Sequence, residues 1–187
     1  MAETFNYRAY SMEYGTFVGI AWSLLFFSYI YGVRDNNALL LLASFALCAV
    51  GFFLPFILGL RLNAIMSINN MRLSYLKALM FSFSMFMYAC LLSGLISYFY
   101  FEFLDDGELL SAISTMLNNK EIISMYNEMK LAEQYGELLN MIKELENLSS
   151  FESALLIFNN NFTWSMIMSF LVPFAVIYRL PQKNKSN

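Results

Sequence analysis

Apolar residues in this chain do not recur at a spacing that would give one buried face. They run on. Four stretches are almost continuously apolar: Gly15 to Val33, Ala38 to Leu60, Tyr75 to Tyr100 and, shorter, Phe162 to Tyr178. A helix rises about 1.5 Å per residue, so roughly 20 apolar residues cross a bilayer core of about 30 Å. Each stretch approaches that length, and none carries a charge near its centre. The pattern predicts an all-α membrane protein with four transmembrane helices.

The polar connections order these spans. Arg34, Asp35, Asn36 and Asn37 alone separate the first two, which therefore form an antiparallel hairpin. Arg61 to Ser74 joins the second to the third, with Lys77 just inside span three, where its stem can snorkel. The third connection, residues 105–152, is the sizeable polar region. Asp105, Asp106, Glu108, Glu121, Glu128, Glu133, Glu137, Glu144, Glu146 and Glu152 face only Lys120, Lys130 and Lys143, a balance of −7. Here the helical period returns. Leu109, Ile113 and Met116 form one stripe; Ile122, Met125, Met129 and Ala132 form another; Leu138, Ile142 and Leu145 form a third. This amphipathic helical insert reads as two helices, 107–118 and 120–147, the second broken or kinked near Gly136. Ser149 and Ser150 ahead of Glu152 then open a short interfacial helix. Asn159, Asn160 and Asn161 mark the water-facing start of span four.

Composition agrees with this reading. Of 187 residues, 59% are hydrophobic and only 13% charged, about half the charged share of a soluble domain. That apolar excess needs lipid as its solvent. Net charge is −3 with no basic stripe, which argues against nucleic acid as a partner. The N-terminal segment lacks the pattern of a secretory signal, so the first span is expected to be retained. Lys and Arg set the orientation. Arg8, the pair Arg61 and Arg72 with Lys77 nearby, and Arg179, Lys183 and Lys185 all fall on one side of a four-span protein. Both termini are therefore expected in the cytoplasm, with the acidic insert outside it. Tyr98, Phe99, Tyr100, Phe101 and Phe103 cluster where span three should leave the bilayer, and Tyr7, Tyr10 and Tyr14 precede span one.

Candidate chemistry is sparse. The chain has no histidine, which removes the commonest metal ligand and general base. Cys48 and Cys90 lie singly within apolar runs and read as small buried side chains. No phosphate-binding glycine loop, nucleophile elbow or zinc spacing is present. No catalytic residue, cofactor or metal is therefore expected, nor an ion-coupled pump, which would place charge at membrane depth. Asp105, Asp106 and Glu108 form a carboxylate cluster that a hard cation would suit. Asp-Asp-Gly is equally a helix stop followed by a helix start, and that is the reading preferred here. Gly15, Gly19 and Ser23 make a small-residue face on span one, and Ala89, Ser93 and Ser97 make one on span three. Gly51, Pro55 and Gly59 repeat the spacing on span two. Such faces let helix backbones approach closely. They serve either a homo-oligomer or packing within one chain, and a four-span bundle needs the latter in any case. Pro55 and Pro173 are expected to kink their helices. Met125, Met129, Leu138, Ile142 and Leu145 are either an adaptable partner surface or the inner face of the insert.

Tyr14-Gly15 with Gly19 opens span one, and the run from Tyr98 to Asp105 closes span three ahead of an acidic insert. Asn160-Asn161-Phe162 precedes a last span that contains Pro173 and ends at Arg179. In that order the pieces resemble the bacterial membrane family known as domain of unknown function 4199. The turn Met71-Arg72-Leu73-Ser74 departs from it in lacking a glycine. The resemblance implies four spans in a bacterial cytoplasmic membrane and supplies no catalytic residues. It also implies an envelope-related role, through genomic association with a polyprenyl-phosphate glycosyltransferase.

Three functions remain in contention. The leading one is a non-catalytic scaffold or accessory subunit with a membrane-protein partner or a second copy of itself. A lipid-handling protein, such as a carrier or flippase for a polyprenyl-linked glycan, would require a lateral cleft between spans kinked at Pro55 and Pro173. A lipid-headgroup enzyme would require Asp105, Asp106 and Glu108 to converge.

Overall fold

The computed structural model describes residues 6–69, 71 and 73–178, and the basic residues Arg72, Arg179, Lys183 and Lys185 used above lie outside them. Seven helices follow in order among the described residues: α1 (Tyr7–Arg34), α2 (Ala38–Ile68), α3 (Tyr75–Phe103), α4 (Glu108–Leu117), α5 (Lys120–Glu128), α6 (Ala132–Glu146) and α7 (Ser150–Tyr178). Four of them, α1, α2, α3 and α7, are long and apolar enough to cross a membrane. The protein is a multi-pass helical membrane protein. Its outward side chains say the same: Leu39, Phe45, Phe53 and Phe170 lie on the bundle surface with half or more of their area exposed. A water-soluble chain does not present so continuous an apolar surface.

Polar side chains define the helix starts. Asn6, Asn37 and Ser74 each accept a hydrogen bond from a first-turn amide of α1, α2 and α3. At α7, Ser149 Oγ accepts from Glu152 N at 3.3 Å while Glu152 Oε2 accepts from Ser149 N at 2.8 Å. That is a reciprocal capping box. Between α1 and α2 the chain reverses within three residues. Asn36 adopts φ 48°, Asn36 N donates to Val33 O and Asn37 N to Gly32 O. Two otherwise orphaned carbonyls are satisfied in this Schellman arrangement.

α3 is the central helix. It packs along α1 on one side and α7 on the other, α2 leans mainly on α1, and a shorter seam joins α2 to α7. The main core combines Tyr14 and Val18, Leu58 and Leu62, Phe81 through Ala89, and Met168, Val172 and Val176. A second cluster, Ile30, Val33, Tyr100 and Leu109, seats α4 on the bundle end beside the α1–α2 turn.

Two boundaries differ from the sequence expectation. The insert has three helices rather than two, and the break falls at Met129–Leu131 while Gly136 lies inside α6. Lys130 takes φ 58°, Lys130 N donates to Asn127 O, and Leu131 N donates to Tyr126 O. This is another Schellman end, built on a residue type that carries no sign of it. Second, no separate interfacial helix precedes span four, because α7 runs unbroken through Asn159, Asn160 and Asn161. Asn161 turns inward and donates to Ser93 Oγ of α3 at 3.1 Å, so its amide has a partner without breaking the helix.

Candidate functional site

The small-residue faces lie against neighbouring helices of the same chain. A methyl group on Gly15 would collide with the Met85 carbonyl oxygen and lie 2.7 Å from Tyr88 Cβ. On Gly19 it would lie 3.2 Å from Ala89 Cα. α1 and α3 thus approach through Gly15, Gly19 and Ala89. Ser23 donates back to Gly19 O at 2.8 Å and is buried. Ser93 turns toward α7, where Asn161 donates to it, and Ser97 is buried and donates back to Ser93 O at 2.8 Å.

Ser93 joins a polar seam that sequence reasoning missed. Asn161 reaches Ser93, Cys90 Sγ lies 3.2 Å from Ser165 Oγ, and Ser165 and Ser169 each bond back to the carbonyl four residues earlier. Every such group is bonded, as a low-dielectric interior requires. The available signal was Asn161, Ser165 and Ser169 at intervals of four within an apolar run.

The carboxylates of the third connection do not converge. Asp105 is 6% exposed and accepts from Tyr100 Oη and from Leu109 N, both at 3.1 Å. It fastens the end of α3 to the start of α4. Asp106 is exposed at φ 38°, followed by Gly107 at φ 79°. Glu108 turns the other way and meets Arg34 Nη1 at 3.2 Å, while Arg34 Nε meets Asp35 at 3.0 Å. Both pairs are exposed, where solvent screens them and they contribute little to stability. No group of three His, Cys, Asp or Glu side chains that would suit a metal occurs among the described residues.

The insert stripes divide. Ile142 is buried and Leu138 half-buried, whereas Met125, Met129 and Leu145 remain exposed together with Met116 and Met141. Tyr135 Oη donates to Leu117 O and stacks near Tyr126, which ties α6 to α4 and α5.

One feature with the shape of a site is a cleft between α2 and α7. Near the α2 C-terminus these helices touch: a methyl group on Gly59 would lie 2.7 Å from Val176 Cγ2, and Asn63 Nδ2 donates to Val176 O at 2.9 Å. Toward the insert end a cavity of about 570 Å³ stands between them. Cys48, Gly51 and Phe52 of α2 form one wall; Ile157, Asn160, Asn161, Trp164 and Met168 of α7 form the other. The floor is Trp22 of α1, stacked on Phe86 of α3 at 6.0 Å and lying over Gly51. No charged side chain lines it. The Asn160 amide is exposed and has no hydrogen-bond partner among the described residues. The volume is that of an ordinary small-molecule pocket.

Fold and cleft together define a four-span helical membrane protein with an extramembrane three-helix insert and a laterally placed apolar cavity. The chain belongs to the family described as Protein of unknown function (DUF4199), whose model matches residues 13–179. No curated protein and no solved structure matches it.

Proposed function

We propose that this is a non-catalytic lipid-binding component of the bacterial cytoplasmic membrane, acting as an accessory protein in cell-envelope biology with both termini in the cytoplasm. The observation that carries the reading is the cleft between α2 and α7. It has an apolar lining, a few uncharged hydrogen-bonding groups, and a position between two helices that make only a short seam. Such a lining suits the hydrocarbon chain of an amphiphile, with Asn160 and Asn161 meeting a polar group or water near its head. A charged phosphate would find no counter-ion inside. A carrier or flippase role toward a polyprenyl-linked glycan would place only the polyprenyl chain in the cleft, with its phosphate outside it.

The chain supplies its own reporter, since both of its two tryptophans, Trp22 and Trp164, line the cleft. In Trp164→Phe protein, Trp22 remains on the cleft floor. Reconstituted into brominated-chain phospholipid, it should be strongly quenched, and filling the cleft with Cys48→Phe and Asn160→Phe should restore its emission. Unquenched Trp22, or quenching indifferent to cleft filling, refutes the assignment.

A second reading rests on the insert. Met125, Met129, Met141 and Leu145 form an exposed adaptable surface that suits a protein partner, as a scaffold would need. The partner class suggested by the family resemblance is a polyprenyl-phosphate glycosyltransferase. Affinity purification from native membranes distinguishes the two. A stoichiometric protein lost on Met125→Lys with Met129→Lys supports the scaffold, and one enriched lipid class without protein supports the cleft.

A further inference from the structure

At the end of the bundle opposite the insert, α1 and α3 begin side by side. A groove of about 400 Å³ opens between their first turns. Arg8 and Lys77 line it with Tyr7 and Ser11, and Met80, Ser84 and Tyr88 extend the lining along α3. Among the described residues no carboxylate lines it. The ion pairs among the described residues all involve Arg34, at the other end of the molecule. Two exposed cations, on two helices, therefore share one groove without an acidic partner there. The α1 and α3 N-termini add partial positive charge of the same sign.

We propose that this groove binds one anionic glycerophospholipid, its phosphate between Arg8 and Lys77 and an acyl chain along α3 toward Tyr88. Charge complementarity selects the anion, and basic recesses between transmembrane helices are where such headgroups lodge. The groove selects a lipid over a free phosphate. From Lys77 to Tyr88, α3 rises about 16 Å at about 1.5 Å per residue, and Met80 and Phe81, between the cation and Ser84, offer phosphate nothing. Ser84 and Tyr88 lie about 10 and 16 Å past Lys77 on the same rise, along the course of the acyl chain. This site is separate from the α2–α7 cleft and does not depend on it. One cavity takes a phosphate by its charges, and the other excludes one by lacking them.

The test uses the full chain in zwitterionic detergent, titrated with phosphatidylglycerol and, separately, phosphatidylcholine, with bound lipid counted by native mass spectrometry. Each cation beside an anionic headgroup is worth a factor of roughly five in affinity. Arg8→Gln or Lys77→Gln should therefore weaken phosphatidylglycerol about fivefold and the double variant about 25-fold. Arg8→Lys with Lys77→Arg should retain binding. Arg61→Gln, at the same end of the molecule but outside the groove, should change nothing. Both substituted side chains are exposed, so the bundle is expected to survive, and unchanged helical circular dichroism checks this. The proposal is overturned if the double variant binds within twofold of wild type. It is overturned equally if Arg61→Gln weakens binding as much, if phosphatidylcholine binds as tightly, or if millimolar inorganic phosphate displaces the lipid.

Discussion

Among the glycines, Gly15 would bring an added methyl group nearest to a neighbouring backbone, and it gives the sharpest test of the packing. Gly15 meets α3 at the Met85 carbonyl oxygen and at Tyr88 Cβ, and neither atom is the free end of a flexible side chain. Gly15→Ala would gain about 0.8–1 kcal/mol of helix propensity. Against that stands the cost of forcing a methyl group into a packed seam, about 1–3 kcal/mol, with rigid neighbours placing it at the upper end. The net expectation is a loss of about 1–2 kcal/mol. Gly136→Ala is the matched control. It lies within α6 with nothing inside 4 Å of the added methyl, so only the propensity gain remains, about 0.5–1 kcal/mol of stabilisation. The two substitutions are chemically identical, act in opposite directions and should differ by about 1.5–3 kcal/mol. Unfolding in mixed micelles by increasing sodium dodecyl sulfate, followed by circular dichroism, resolves such a gap. Gly15→Ala as stable as wild type would refute the seam as drawn. The same geometry bears on self-association. The Gly15–Gly19 face is filled by α3, so folded Gly15→Ala protein should cross-link to itself no less than wild type does.

Two further outcomes follow from the bundle ends. Asp105→Leu should orphan the buried Tyr100 hydroxyl and the Leu109 amide at about 1–3 kcal/mol apiece, while Asp105→Asn keeps an acceptor oxygen and should cost far less in the same micelle assay. Full loss of cellular function in folded Asp105→Asn, Asp106→Asn protein would instead return the cluster to candidacy as a site. Changing Arg179, Lys183 and Lys185 to Glu should disturb cytoplasmic placement of the C-terminus in reporter fusions, and unaltered reporters would undercut the charge-based orientation.

The four long helices were legible because uninterrupted apolar length is a signal that needs no partner to be read. The helix starts at Asn37 and Ser149 were legible for the same reason, since a cap is made within four residues. What failed depended on contacts across the sequence or on a residue acting out of type. Lys130 ends α5 in a conformation that glycine usually supplies, and the glycine actually present, Gly136, sits harmlessly in α6. Asn161 looked like a surface residue because nothing nearby reveals Ser93, 68 positions earlier, waiting across the seam. The Asp105 cluster was read correctly as a helix boundary, yet the burial of Asp105 beneath Tyr100 was not visible. Small faces could be found, but not which helix each would meet.

The cleft is the clearest case of a feature written in the sequence yet unreadable there. α2 buries Ser44, Gly51, Pro55, Leu58, Gly59, Leu62 and Met66. Gly59 lets α2 close on Val172 and Val176 of α7, whereas toward the insert end, around Gly51, the volume that Trp22 floors stays open. Periodicity alone does not show this, because all seven residues fit a buried helix face. The space of about 570 Å³ opens at the side of the bundle rather than being sealed in its core, so whatever surrounds the bundle fills it. Where the two walls make only a short seam, a bilayer around the four spans is the nearest source of matter. An apolar wall favours hydrocarbon there over water, which is why binding of a lipid chain is the first activity to test.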